Sequence, residues 1–333
     1  MAIFEKINSK IKIQFLVLSI GILLMVGKFI AYLITHSNAI LTDALESIIN
    51  IIAGGFGLYS LILASKPKDE DHPYGHGKIE FISASIEGVL IILAGIAIIT
   101  KSTFNLFFPG EVHKLDIGIW IIAISGAINY IIGHLAEKKG ETSHSITLVA
   151  SGKHLKSDAY TTIGILMGLL LIFFTKIIWI DNVVAIVGGN WIIYSGYKIL
   201  KESVGGIMDE ADFNLLDKIT TNLEKNRKPN WIDIHNLRTI KYGDKLHIDC
   251  HATLPYYFTV LEGHGEIDLI EKLIDQVFEK KVEIFIHIDP CNPDYSCAIC
   301  LKTDCNLRKL SFEKKIPWNL ENTMQNSKHG KIN

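Results

Sequence analysis

Two runs place ionisable side chains within or beside long apolar stretches: Thr42-Asp43-Ala44-Leu45-Glu46-Ser47 and Lys153-His154-Leu155-Lys156-Ser157-Asp158. On a helix, His154 and Asp158 lie one turn apart and share a face; so do Asp43 and Ser47, with Glu46 beside Asp43. Ionisable groups facing lipid are costly, so at this depth they turn to a bundle interior or a watery cavity and mark an ion or proton path. A neutral imidazole with carboxylates suits a divalent ion of borderline softness. A helix that began only at Ala159 would instead leave residues 153–158 as a solvated flank. A third run, Asp69-Glu70-Asp71-His72-Pro73-Tyr74-Gly75-His76, offers a carboxylate and two imidazoles, Asp69, His72 and His76, to a metal ion. The same spacing also arises in ordinary loops.

The elements that would position these groups follow from composition. Apolar residues make up 49% of the 333, and the net charge is −2, which argues for a membrane protein and gives no case for a nucleic-acid partner. Six apolar spans fit at about 13–35, 39–64, 81–100, 115–135, 146–174 and 177–200. The first resembles a signal peptide but is too long for one. Lys6, Lys10, Lys12, Lys66, Lys68, Lys78, Lys138, Lys139, Lys198 and Lys201 fall on the side of both termini, against Lys101, Lys114 and Lys176 opposite. The positive-inside rule makes that side the cytoplasm, so the expectation is a multi-pass protein of the cell membrane, surrounded by lipid, with both termini cytoplasmic. Gly188, Gly189, Asn129 and Asn190 suit helix contacts.

Past Gly205-Gly206 the charge rises and the order reads helix, strand, strand, helix, strand, a small α+β layer domain. The expected division is a six-helix transmembrane domain over residues 1–205, a cytoplasmic domain over 206–290 and a cysteine-containing tail over 291–333. In that tail Cys291, Cys297, Cys300 and Cys305 have the spacing C-x5-C-x2-C-x4-C. On a reducing side of the membrane such a cluster favours a metal over disulfides. Zinc, an iron–sulfur or redox role, and no role remain the alternatives. From Leu310 onward there are few apolar anchors beyond Trp318, which predicts loose order.

The combination of Leu41-Thr42-Asp43-Ala44-Leu45-Glu46-Ser47, the loop His72-Pro73-Tyr74-Gly75-His76-Gly77-Lys78, and His154-x-x-Ser157-Asp158 resembles the cation diffusion facilitator family. Ile234-His235-Asn236-Leu237-Arg238, Ile248-Asp249-Cys250-His251, Glu262-Gly263-His264 and His287-Ile288-Asp289-Pro290-Cys291 extend it into the second half. The resemblance implies a homodimer of six transmembrane helices per chain and a ferredoxin-like cytoplasmic domain, exporting cytosolic divalent metal in exchange for protons. It implies a transport site at Asp43, His154 and Asp158, a loop site at Asp69, His72 and His76, and regulatory ligands at His235, His251, His264, His287 and Asp289. This sequence departs from the family where a second ligand one turn after Asp43 is expected: that position is Ser47. Glu46, water, or Asn50 through a water could fill the fourth place. Zinc is favoured as substrate and regulatory ligand, with manganese, ferrous iron, cobalt or cadmium open. An enzyme is disfavoured, since H-E-x-x-H is absent. A membrane metal sensor or scaffold that does not transport is the alternative.

Overall fold

The computed structural model describes residues 2–35, 38–107, 116–175, 179–243, 245–278 and 282–330. The backbone alone is described for 2–8, 31, 34–35, 38–43, 45–46, 116–119, 121–122, 165–175, 179–181 and 184–185. The chain divides into two units, Met1–Met208 and Asp209–Asn333.

In the first unit, apolar runs broken by the loops read from sequence give six long helices: α1 (Ala2–Thr35), α2 (Asn38–Ala64), α3 (Ile79–Phe107), α4 (Asp116–Ser143), α5 (Ile146–Thr175) and α6 (Trp179–Ile207). Among the described residues, Ser9–Ile30, Ser47–Ala64 and Ile79–Phe107 are long and apolar enough to cross a membrane. The α5 helix begins well before Ala159, so Lys153 to Asp158 is helical and not a flank. Two pairs of helices touch through glycine. On α3 and α6, a Cβ on Gly95 would stand 2.9 Å from the Gly189 carbonyl oxygen, and one on Gly196 the same distance from that of Gly88. On α4 and α5, a Cβ on Gly133 would lie 2.9 Å from the Gly152 oxygen. Backbones come this close only where side chains are absent. The expected helper Gly189 is thus at a contact, whereas the Asn190 side chain donates back to the Ile186 carbonyl one turn earlier in its own helix.

The second unit follows the expected order: α7 (Phe213–Lys225), β1 (Asp233–Tyr242), β2 (Lys245–Leu254), α8 (Val260–Asp275), β3 (Glu283–Pro290) and the short α9 (Leu320–Thr323). The sheet runs β1-β2-β3, with β1 and β2 antiparallel and β2 and β3 parallel. Strand alternation sends Ile248, Cys250, Ala252 and Leu254 into a core with Leu216, Ile219 and Leu223 of α7 and Ile267, Ile270 and Ile274 of α8. A bulge between His235 and Arg238, with Asn236 at φ 54°, lets both Ile234 and Leu237 reach that core. The tail after Leu310 differs from the expected loose order. Trp318 is buried in the core, stacked under the Arg227 guanidinium at 4.0 Å, and its amide donates to Glu224. Leu320 and Met324 pack beside it, Arg227 also donates to the Ile316 carbonyl, and the Asn236 amide donates to that of Gln325, so the segment is seated by several contacts.

Candidate metal sites

His154 and Asp158, one turn apart on α5, meet α2 at Asn50. The Asn50 Nδ2 donates to Asp158 Oδ2 at 2.7 Å, and its Oδ1 lies 2.8 Å from His154 Nε2. The two α5 groups are themselves 3.7 Å apart, and His154 is 6% exposed. An amide oxygen can only accept, so this arrangement puts the proton of the imidazole on Nε2. Asn50 thus stands directly where the sequence predicts a contact through water. Ser47, at the position where the family resemblance expects a second ligand, accepts from the Lys28 ammonium at 3.0 Å through its hydroxyl. Asp43 and Glu46 lie on α2 by backbone, and their side chains fall outside the described residues.

A buried carboxylate on α3 lies close by. Glu87 is 3% exposed and accepts at 3.2 Å from Ser151, which lies three residues before His154 on α5. Ser151 continues to Gln14 at 3.4 Å, and Gln14 to the Gly54 carbonyl. These contacts join α1, α2, α3 and α5 in one polar string beside Asn50.

In the loop between α2 and α3, Asp69 gathers both histidines. His72 Nδ1 is 2.9 Å from Oδ1 and His76 Nε2 is 3.2 Å from Oδ2, with one donor atom from each residue within 4.8 Å of the others. The His72 amide also donates to Asp69, which sets the turn. One carboxylate and two imidazoles form an open three-ligand set.

The third cluster is a product of strand register. His235, His251 and His287 are direct cross-strand partners on β1, β2 and β3, and Asp233, Thr253 and Asp289 form the next row on the same sheet face. Asp289 Oδ2 sits 3.0 Å from His251 Nδ1 and 3.4 Å from His235 Nε2, and these three residues also present donors within 4.8 Å. His287 is 3.9 Å from Asp289, with its ring 4.8 Å from that of His251. His264 differs from expectation. It is on α8, which packs against the opposite sheet face; its side chain is 71% exposed and pairs with Asp268. The tail returns to the histidine face: Lys328 Nζ is 2.9 Å from Asp289 Oδ1, and His329 Nδ1 is 2.7 Å from Asp233 Oδ1. Asp233 in turn holds His235 Nδ1 at 3.3 Å, which orients the other ring nitrogen toward Asp289. Burial works to raise the pKa of both carboxyls. Hydrogen bonds from His235 and His329 outweigh it at Asp233, and those from Lys328 and His251 at Asp289, so both stay below the ordinary value.

Two family models match this sequence: the cation efflux transmembrane domain over residues 14–208 and the cytoplasmic domain of cation efflux proteins over residues 212–291. The chain belongs to the cation diffusion facilitator family. This facilitator is 30% identical over 276 residues to an uncharacterized transporter of Synechocystis, covering 82% of this chain and 89% of that protein. It is 28% identical to the manganese efflux system protein MneS of Bacillus subtilis, over 79% of this chain and 89% of the relative. To the cation-efflux pump FieF of Shewanella oneidensis the identity is 24%, over 79% and 88%. The facilitator is therefore a multi-pass membrane transporter of cations and not an enzyme.

Several residues at the facilitator's clusters escaped the sequence reading as direct participants. Asn50 had a legible signal, since it follows Glu46 by one helical turn. Asp233 had one too, two residues before His235 on a strand. Glu87 reads as a stray charge in an apolar span, and nothing local in the tail foretells the docking of Lys328 and His329.

Proposed function

We propose that this facilitator exports a divalent transition metal in exchange for protons, with Asn50, His154 and Asp158 as the crossing point. Glu46, one turn before Asn50, would complete the donor set. The observation that carries the reading is the Asn50 side chain bridging His154 and Asp158 from the opposing helix. An amide oxygen, one imidazole and carboxylates make an oxygen-rich set, harder than one built on two aspartates and thiols or further imidazoles. That supports manganese ahead of zinc as cargo, in line with a relative named for manganese efflux. Zinc remains the competitor.

The metal-free contacts suggest how exchange works. His154 Nε2 must lose its proton, and the amide must release Asp158, before these atoms can face a cation. On a neutral His154 that is a shift of the proton to Nδ1 and releases none; the proton exchanged is one that His154 carries as imidazolium, or that a carboxyl of the site carries as the acid, lost on loading and regained from the far side on release. Opening to one face and then the other supplies direction. The six helices would all span, with the lysine-rich loops and both termini in the cytoplasm. The second unit would pair two chains, and filling of the His235, His251 and Asp289 cluster would report cytosolic metal to that pairing.

The test is metal-driven proton movement in proteoliposomes carrying an internal pH dye, with manganese, zinc, ferrous iron, cobalt, cadmium and magnesium offered in turn. Manganese should give the largest signal. Asn50→Ala should lower it by about ten- to a hundredfold, and Asn50→His, which exchanges an oxygen donor for an imidazole, should move preference toward zinc. Full flux with unchanged preference in Asn50→Ala would remove Asn50 from the path. Metal binding without any proton movement would favour a sensor.

A further inference from the structure

Between the end of β3 and Asn319 the chain runs through residues 291–319 with no regular element except a single 3-10 turn, Ser296–Ala298. Irregular segments of this length inside a folded unit need something other than a hydrophobic core to hold them. Here the apolar contribution is small: Ile232, Ile299 and Cys300 form a separate patch with Cys291 and Ile316 at its edge.

The polar organisation is far more developed. The Arg308 guanidinium donates to the carbonyl oxygens of Cys297 and Cys300 at 2.8 Å and of Lys302 at 2.9 Å, drawing the chain into a loop around one point. The amides of Glu313 and Lys314 both donate to the Ala298 carbonyl. At the centre is a cavity of about 20 Å³ lined by Cys291, Cys297, Cys300 and Cys305 together. All four are thiols, Cys297 and Cys300 buried and the other two half-buried. The Tyr257 hydroxyl points at the Cys305 sulfur at 3.7 Å. Hydrogen bonds aimed at sulfur are what a thiolate ligand requires.

We propose that Cys291, Cys297, Cys300 and Cys305 hold one zinc ion tetrahedrally, as a resident structural metal distinct from the cargo. Four soft thiolates select zinc over the harder ions suited to the transport site. Zn–S bonds of about 2.3 Å place sulfurs about 3.8 Å apart in a tetrahedron. The sulfurs ring the cavity more widely than the donors of the two histidine clusters, so binding draws in the half-buried pair, Cys291 and Cys305. The thiol protons leave to solvent as the ion enters. The zinc ties the end of β3 to the segment that seats Trp318 and returns Lys328 and His329 to the histidine face.

The test uses the full chain, purified in detergent under reducing conditions without added metal, in an Asp69→Ala, Asp158→Ala, His251→Ala background that disables the other clusters. Elemental analysis should find about one zinc per chain after desalting. Cobalt exchanged for it should give intense thiolate-to-cobalt charge-transfer bands. Cys300→Ser should abolish both. Cys305→His, which keeps four ligands, should retain the metal with a weaker charge-transfer band, and so shows that loss in Cys300→Ser is not mere misfolding. No retained metal and no cobalt–thiolate band would overturn the proposal. So would iron with acid-labile sulfide, or mass-spectrometric disulfides among these cysteines in protein alkylated at lysis.

Discussion

Lys328→Met should tighten metal binding at the histidine face while making the metal-free protein less stable. Asp289 is the pivot, because its carboxylate faces His251 at 3.0 Å, His235 at 3.4 Å and the Lys328 ammonium at 2.9 Å. A cation arriving between the two histidines must share or displace that ammonium. At 2.9 Å the bare attraction is about 1.4 kcal/mol in water and about 6 kcal/mol at an effective dielectric of 20. The side chains are 23% and 14% exposed, so screening and the ordering of a lysine leave a net of about 1 kcal/mol. Removing the competitor should therefore lower the apparent dissociation constant about fivefold and lower apo stability by about 1 kcal/mol. Lys328→Arg, which keeps the charge, should change neither by much. Calorimetric titration with manganese and with zinc, in an Asp69→Ala, Asp158→Ala background, reads the first quantity, and thermal unfolding of the metal-free chain reads the second. Weaker metal binding in Lys328→Met would refute the reasoning, since it would make the lysine a support of the site and not its rival.

Glu87→Gln, which preserves shape and the Ser151 contact, should leave metal binding within about threefold but slow proton-coupled flux about tenfold; equal flux in the pH-dye assay would exclude Glu87 from the proton route. Gly95→Ala would put a Cβ 2.7 Å from Ile193 Cγ1 and 2.9 Å from the Gly189 oxygen, costing about 1–3 kcal/mol through overpacking, visible as a lower unfolding temperature in detergent. Asp233 and Asp289 are held below their ordinary 3.8, so the stability they contribute is complete above that value and is lost as pH falls through their lower folded values. Stability of the second unit should thus fall below about pH 4, and more shallowly in Asp233→Asn; an identical acid limb in that variant would argue against Asp233 as the source.

How far the sequence alone reveals these features depends on how local their signals are. Helix period exposed the shared face of His154 and Asp158, and strand alternation exposed the αββαβ order, because both patterns repeat over a few residues. The loop cluster was legible for the same reason: Asp69, His72 and His76 are close in sequence. The pairing of Asn50 with α5 was not, because which turn of α2 faces His154 depends on how two helices are set against each other. The bulge at Asn236 is equally non-local in effect. It lets Ile234 and Leu237 both point inward and keeps His235 opposite His251. The placement of His264 was equally hidden: its setting near the start of a helix is clear from sequence, whereas the sheet face which that helix covers is not.

The glycine contacts between α3 and α6 bear on how the first unit can move. With Gly88, Gly95, Gly189 and Gly196 bringing backbone against backbone at two levels, neither helix can slide or roll on the other without steric collision. Such a pair is expected to move as a single strut. Any change that exposes Asn50, His154 and Asp158 to alternate sides must then take place where the strut meets its neighbours. Glu87 stands at that boundary, with its carboxylate on the strut and its partner Ser151 on α5. The 3.2 Å hydrogen bond between them would thus be stretched and remade whenever α3 and α5 shift against each other.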